Sequence, residues 1–150
     1  MNKKLKIKKL DDRAIIPTKG SEYSAGFDLY CMLGDAEERI IWAHDTHMIN
    51  TGIAVEIPRG YFGAIFARSG LASRQGLRPA NCVGVIDSDY RGEIMVALHN
   101  DMKRPQRIHN HDRIAQLVII PYAKEFTEFE VIDDLEETDR GSGGFGSTGK

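Results

Sequence analysis

The segment from Asn81 to Gly92 combines an amide, two carboxylates and a tyrosine with small residues. Asn81 and Gly84 flank a predicted hairpin, and an asparagine amide with exposed hairpin backbone can hydrogen-bond the edge of a base. A carboxylate such as Asp87 can orient a water molecule and take its proton. The same residue types also suit a polar β-turn without a ligand. The segment alone leaves both interpretations open.

A second pattern, from Arg68 to Ala72, has the features of an anion site. Backbone N–H groups at the start of a helix attract anions, and arginine adds bidentate recognition of phosphate. We predict a short helix with Ser69 as N-cap, about a turn and a half over Leu71–Gln75, and Gly76 at the C′ position. A capped surface helix beside a solvated arginine is the alternative.

The glycine-rich end, from Arg140 to Lys150, permits three interpretations. Gly144 to Lys150 matches the P-loop spacing, but no Ser or Thr and no helix follow the lysine, so we set that interpretation aside. The segment could instead fold over a ligand, with Phe145 stacking on a base while Ser147, Thr148 and backbone N–H groups meet phosphate. A disordered end without a role is the third interpretation.

Strands must position the side chains described above, because apolar residues recur mostly at every second position. This periodicity predicts strands around Ile53–Ile57, Tyr61–Ala67, Ile94–Leu98, Leu117–Ile120 and Phe129–Val131. Turn residues separate the runs, which is typical of a sandwich or barrel. The alternation of Leu5 and Ile7 with lysines predicts an opening edge strand. We expect one β domain over residues 1–137 and a flexible tail over residues 138–150.

Composition narrows the function classes. The 150 residues suffice for one domain, and a net charge of −2 speaks against a nucleic-acid coat protein. No apolar run is long enough to span a bilayer. Cys31 and Cys82 are too few for a disulfide scaffold, so we expect reduced thiols in a soluble intracellular protein. The pairs His44/His47 and His109/His111 are interpreted as surface turn residues rather than metal ligands.

Together and in this order, five segments resemble the motifs of the trimeric deoxyuridine triphosphatases. They are Ala25–Leu29, Arg68–Ala72, Gly84–Glu93 with Asn81 before it, Asp112–Leu117 and Arg140–Gly149. The resemblance extends from about Leu5 to the end of the chain. Two positions depart from the family pattern: Ala67 stands where proline is usual, and Phe27 where tyrosine is frequent. Neither change removes a group that the chemistry needs.

The resemblance implies an all-β, distorted jelly-roll or barrel-like subunit in a homotrimer, with active sites at the subunit interfaces. It implies hydrolysis of dUTP to dUMP and pyrophosphate by in-line attack of water on the α-phosphorus. This reaction would limit uracil in DNA and supply dUMP for thymidylate synthesis. The compartment would be the cytoplasm, or the nucleus if the source is eukaryotic or viral.

The resemblance also implies roles for individual residues. Asp87 would activate the water, and Asp28 would contact Mg²⁺ through the water shell of the ion. The implied substrate-binding residues are Arg68, Ser69, Gly70, Asn81, Gly84, Val85, Ile86, Tyr90, Met95, Gln116, Arg140, Phe145, Gly146, Ser147 and Thr148.

Two other functions remain beside this one. A deoxycytidine triphosphate deaminase has a related architecture and would release ammonia, but the complete uracil hairpin with Asp87 and Tyr90 disfavours it. A binding or regulatory protein belongs to a different class, and Met32–His47 is a plausible segment for a protein partner. We expect neither a nucleic-acid partner nor a membrane.

Overall fold

The computed structural model describes residues 4–144, which contain eleven strands and one helix. These are β1 (Lys6–Lys9), β2 (Phe27–Tyr30), β3 (Glu38–Ile41), β4 (Thr46–Asn50), β5 (Ile53–Glu56), β6 (Tyr61–Phe66), α1 (Ser69–Gln75), β7 (Leu77–Pro79), β8 (Gly84–Ile86), β9 (Met95–Asn100), β10 (Gln106–His109) and β11 (Arg113–Pro121). The predicted all-β class with one short helix is confirmed. Within residues 4–144, no helix has the length and apolar character needed to cross a membrane.

All strand pairs are antiparallel and form four sheets. The strand orders are β2-β11-β6-β8, β4-β9-β7, β1-β5 and β10-β3. The longest strand, β11, lies between β2 and β6 and therefore joins segments that are distant in sequence. β1 pairs with β5 and exposes its lysines, as the predicted edge strand requires.

One apolar cluster between the sheets forms the core, and its side chains follow the two-residue period of the strands. On β9, Val96, Leu98 and Asn100 are buried, whereas Met95 is 41% exposed. Asn100 is the polar member of this row. Its Nδ2 donates to the carbonyls of Ile41, Trp42 and Arg104, and its Oδ1 accepts from the Met102 N–H. The buried amide therefore links the end of β3 to the loop between β9 and β10 without an unsatisfied group.

The helix confirms one predicted boundary and corrects the other. Gly76 has φ 63°, and its N–H donates to the Ala72 carbonyl at 3.1 Å, as expected of a glycine that ends a helix. The N-cap is Arg68 rather than Ser69, and no side chain caps the first turn. Ser69 is already helical, which leaves its hydroxyl and the first N–H groups unused by capping.

Among the described residues, regular structure ends at Pro121, and residues 122–144 contain neither strand nor helix. The strand predicted at Phe129 and Val131 is therefore wrong for this chain. Both side chains are almost completely exposed, at 102% and 96%, because no neighbouring strand of the described residues lies beside them. The boundary at residue 138 and the flexibility of the tail remain predictions, as does the jelly-roll description.

Candidate active site

The first, second and fourth motifs meet across three adjacent strands. Gln116 of β11 pairs with Asp28 of β2 on one side and with Phe66 of β6 on the other. Arg68 follows directly from the end of β6. Long-range strand pairing therefore brings together, beside the C-terminal end of β6, residues that lie far apart in sequence, such as Asp28 and Gln116.

Asp28 is the acidic centre of this cluster. Its Oδ1 accepts from Arg68 Nε at 2.9 Å, and its Oδ2 accepts from Arg113 Nη1 at 3.2 Å. Only 15% of the Asp28 side chain is exposed, compared with 29% for Arg68 and 49% for Arg113. The carboxylate thus fixes two guanidinium groups at the surface, where their remaining donors can bind an anion. Arg113 is absent from the predicted site, although it lies inside the fourth motif.

Gln116 fixes the backbone that enters the helix. Its Nε2 donates to the Ala67 carbonyl at 2.9 Å. This bond holds the position where proline is usual in the family, so a side chain supplies part of the restraint that a pyrrolidine ring would give. Ser69 and Gly70 follow at the exposed start of α1. A Cβ on Gly70 would meet no atom within 4 Å, which leaves its backbone open to a ligand.

The segment after α1 forms a tight turn, but the predicted hairpin is wrong. β8 pairs with β6 and β7 pairs with β9, so the turn joins two different sheets. The Val83 N–H donates to the Asn81 carbonyl at 2.6 Å, and Cys82 between them has φ 60°. Asn81 and Val85 remain exposed, and Gly84 is buried against Ile65. The Asn81 side chain is exposed, whereas Gly84, Val85 and Ile86 pair with β6 along one side of β8.

Asp87 and Tyr90 lie in the loop after β8. The Tyr90 N–H donates to the Asp87 carbonyl at 3.1 Å, which makes a turn that leaves the Asp87 carboxylate exposed. The Tyr90 hydroxyl donates to the Glu93 carbonyl at 2.9 Å. Arg59 and Lys124 line the same open groove as Asp87. Nothing in the sequence pattern distinguishes these two cations from other surface charges.

The structure does not bring the Asp87 group to the Arg68 group. Asp87 follows Ile86, which pairs with Gly63, and β8 runs antiparallel to β6. The chain after Ile86 therefore leads away from Arg68, which lies five residues beyond Gly63 in the other direction. At about 3.3 Å per residue, Asp87 and Arg68 are roughly 15–20 Å apart in one chain. Two incomplete half-sites therefore exist, one around Arg68 and one around Asp87.

The remaining predicted residues lie elsewhere or outside the described chain. Met95 begins β9, is half-exposed and pairs with Asn50. Arg140 Nε donates to the Gly143 carbonyl at 2.9 Å within a local turn. Phe145, Gly146, Ser147 and Thr148 lie outside the described residues.

The surroundings of Asp28 fit a Mg²⁺ ion that is bound mainly by phosphate and water. Residues 4–144 contain no group of three His, Cys, Asp or Glu side chains that could hold a metal. Each Asp28 oxygen accepts one hydrogen bond from arginine and retains a lone pair for a water molecule. Mg²⁺ prefers phosphate oxygens and water to an all-protein cage, and this arrangement suits such a water-mediated contact.

The cysteines and histidines take no part in this cluster. Cys31 is buried, its Sγ donates to the His109 carbonyl, and burial raises the pKa of the thiol to about 11. Cys82 is free and exposed. His44 and His111 occupy left-handed turn positions, as expected, whereas His47 and His109 lie in β4 and β10.

Comparison with known proteins identifies one family. The family model described as dUTPase matches residues 12–149. A deoxyuridine 5'-triphosphate nucleotidohydrolase from Escherichia phage T5 is 46% identical over 144 residues, covering 94% of this chain and 96% of the relative. One from Nautilia profundicola is 46% identical over 147 residues, covering 98% and 99%.

A solved structure leads to the same family. The dUTPase of Staphylococcus bacteriophage 80alpha, with dUPNHPP, has a TM-score of 0.84 at 29% identity, covering 99% of this chain and 100% of that chain. The resemblance predicted from the five motifs is confirmed, and the chain belongs to the dUTPase family of enzymes.

Proposed function

We propose that the protein hydrolyses dUTP to dUMP and pyrophosphate, with both half-sites acting on one nucleotide. The observation that carries the proposal is the cluster in which Asp28 holds the guanidinium groups of Arg68 and Arg113 at the surface. Beside it, Gln116 fixes the backbone that leads into the exposed start of α1. Such a cluster suits the triphosphate, whose charge must be held and oriented for transfer.

Asp87 is the residue that activates water. Its exposed carboxylate orients the molecule, takes its proton and also contacts the deoxyribose 3′-hydroxyl. Arg68, Ser69, Gly70 and Gln116 hold the phosphate chain so that the water meets the α-phosphorus in line. Pyrophosphate then leaves, and the guanidinium groups stabilise its negative charge. The rate enhancement comes mainly from positioning and charge stabilisation.

Selectivity comes from the turn and the following loop. Asn81 and the backbone of Gly84, Val85 and Ile86 pair with uracil, and cytosine would leave buried polar groups mismatched. Such a mismatch can discriminate by roughly 10⁴. The tight turn leaves no room for the methyl group of thymine, and Tyr90 lies under the sugar and excludes a 2′-hydroxyl. Met95 completes the substrate contacts.

Mg²⁺ is the proposed cofactor. Asp28 would contact it through water, as its two remaining lone pairs allow. When bound, the ion neutralises charge on the phosphates and on the leaving pyrophosphate.

A homotrimer would unite the half-sites. Asp87 must approach the same triphosphate as Arg68, since water attacks from about 3–3.5 Å, and one chain separates them by roughly 15–20 Å. Exposed apolar side chains after β11 also favour association: Phe126 is 82% exposed, Phe129 102% and Leu135 82%. The active sites would therefore lie at subunit interfaces.

The tail would close the site. Arg140, Ser147 and Thr148 would reach the γ-phosphate, Phe145 would stack on the base and Gly146 would let the backbone approach. Closure excludes bulk water and completes the set of residues that contact the substrate. In a cell, the reaction limits uracil incorporation into DNA and supplies dUMP. We place it in the cytoplasm or nucleus, where both free cysteines stay reduced.

The experiment is pyrophosphate release from dUTP, dTTP, dCTP and UTP with Mg²⁺, using wild type, Asp87→Asn and Asp89→Asn. We expect release from dUTP alone, a fall of about 10²–10⁴ in Asp87→Asn and little change in Asp89→Asn. Ammonia release from dCTP would favour the deaminase instead. A folded oligomer that binds dUTP without turnover would favour a binding protein.

A further inference from the structure

Glu93 stands beside the proposed specificity residue Tyr90 but has no role in the function described so far. One of its carboxylate oxygens, Oε1, accepts from the Gly52 N–H at 2.8 Å. The other, Oε2, accepts from Asn50 Nδ2 at 2.9 Å. Glu93 therefore ties the loop that carries Asp87 and Tyr90 to the turn between β4 and β5.

Further bonds make this connection rigid. The buried Thr51 hydroxyl donates to the Ile94 carbonyl at 2.6 Å, and the Ile94 N–H donates to the Ile53 carbonyl at 2.8 Å. Gly52 has φ 70°, and a Cβ there would come within 2.7 Å of Ala14 Cβ. The turn is thus closely packed, and Glu93 binds to a part of the chain that cannot shift easily.

The position of Tyr90 depends on the same short segment. Its hydroxyl donates to the Glu93 carbonyl at 2.9 Å. Its ring lies against Gly92, where a Cβ would come within 2.6 Å of Cζ and nearer still to the hydroxyl oxygen. The backbone of Gly92 and Glu93 therefore fixes both the tilt of the ring and the direction of its hydroxyl.

We propose that Glu93 is a positioning residue for discrimination between deoxyribose and ribose, acting through Tyr90. The side chain anchors the backbone on the Asn50–Gly52 turn, and the backbone then holds the Tyr90 ring where a 2′-hydroxyl would have to fit. This inference rests on the proposed function. Glu93 would act from the side of the loop that faces away from the substrate.

The test measures kcat/KM for dUTP and for UTP in Glu93→Ala and Glu93→Gln. Glu93→Ala leaves the Gly52 N–H without its acceptor, and we expect the dUTP/UTP ratio to fall about tenfold to a hundredfold. Glu93→Gln keeps one acceptor for Gly52, and the Asn50 amide can turn its oxygen toward the new NH₂ group. This variant should retain most of the discrimination.

Exchanging the amide of Asn50 and the carboxylate of Glu93 distinguishes loss of their hydrogen bond from misfolding. Asn50→Asp alone puts two carboxylates within hydrogen-bonding distance and should lower the ratio. When Asn50→Asp is combined with Glu93→Gln, the introduced amide donates to the new carboxylate and still accepts from Gly52, so the ratio should recover. A loss that the double variant does not repair overturns the proposal.

Two comparisons separate positioning from general destabilisation. Asn110→Ala removes the side-chain oxygen that accepts from the Leu33 N–H at 2.8 Å, far from Tyr90 in sequence, and should leave the ratio unchanged. Tyr90→Phe removes the hydroxyl bond, so its effect and that of Glu93→Ala should be strongly non-additive.

The outcomes remain distinguishable from failure of the proposed function. A folded wild type that does not hydrolyse dUTP refutes that function. A wild type that prefers dUTP strongly over UTP, together with an unchanged ratio in folded Glu93→Ala, refutes the role of Glu93 alone.

Discussion

Gly26 and Gln116 pack so closely that there is no space for a side chain on Gly26. A Cβ at this position would lie 2.7 Å from Gln116 Oε1 and 3.3 Å from Gln116 Cβ. The glycine of the first motif therefore allows the glutamine of the fourth motif to reach the Ala67 carbonyl. The need for glycine here is steric rather than conformational, since no positive φ is involved.

Gly26→Ala should displace the Gln116 amide and release the backbone before Arg68. We expect a loss of about 1–3 kcal/mol in the free energy of unfolding and a rise in KM for dUTP. Chemical denaturation and steady-state kinetics measure the two effects. Gly20→Ala is the matched control, because its Cβ would meet only Ser24 Oγ at 3.6 Å. A wild-type KM in Gly26→Ala would contradict this account of Gln116.

Asp28→Asn should weaken the site without unfolding the sheet. An amide cannot hold two guanidiniums as a carboxylate does, and the proposed water contact to Mg²⁺ weakens with it. We expect kcat/KM to fall about 10–100-fold and the Mg²⁺ requirement to rise. Asp101→Asn is the control, because Asp101 also binds an arginine, Arg78, at 2.6 Å. Equal losses in both variants would assign Asp28 a purely structural role.

Gly70→Ala should separate binding from stability. Outside its chain neighbours and the backbone of its own helix, the new methyl group meets no atom within 4 Å. Alanine also favours a helix over glycine by about 1 kcal/mol. The midpoint of unfolding should stay unchanged or rise, while KM for dUTP rises if phosphate approaches this backbone. Calorimetry and kinetics on one sample decide the question. Unchanged KM would place the phosphate chain elsewhere.

The two cysteines should react very differently with iodoacetamide. Cys82 is exposed, whereas burial raises the pKa of Cys31 to about 11 and removes its reactive thiolate at neutral pH. We expect one alkylated thiol per native chain, identified by peptide mass, and two after denaturation. Bound dUMP should slow the labelling of Cys82, since Asn81 precedes it in the proposed base-binding turn. An unaltered labelling rate would show that the base does not bind at this turn.

Deletion of residues 140–150 should leave the described strands intact, because the last of them ends at Pro121. We expect unchanged far-ultraviolet circular dichroism and oligomeric state, with turnover reduced to a very low level. Arg140→Ala in the full chain should reproduce part of the loss. Full activity of the truncated protein would remove the tail from the mechanism.

Periodicity in the sequence predicted the strands that carry many apolar residues, such as β5, β6 and β9. It missed short strands of mixed composition: β3 reads Glu-Arg-Ile-Ile and β10 reads Gln-Arg-Ile-His. These two form a sheet by pairing with each other over a long sequence separation. A strand of four residues gains its stability from a partner, and a local pattern does not reveal that partner.

The same limit applies to the site. The five motifs indicated Asp28, Arg68 and Gln116 through family resemblance, but their adjacency depends on the registers of β2, β11 and β6. Arg113 and Glu93 lie inside motifs and act on other protein groups, so residue type alone does not single them out. The predicted hairpin at Asn81 failed for a similar reason, because β8 finds its partner in β6.

The distance between Asp87 and Arg68 within one chain has a genetic consequence. A chain with a defective Asp87 still presents an intact Arg68, and a chain with a defective Arg68 still presents an intact Asp87. Under the proposed assembly, two such inactive alleles expressed together would complement each other. Conversely, the product of a single inactive allele would impair active sites that it shares with wild-type chains. Such an allele would behave as partially dominant.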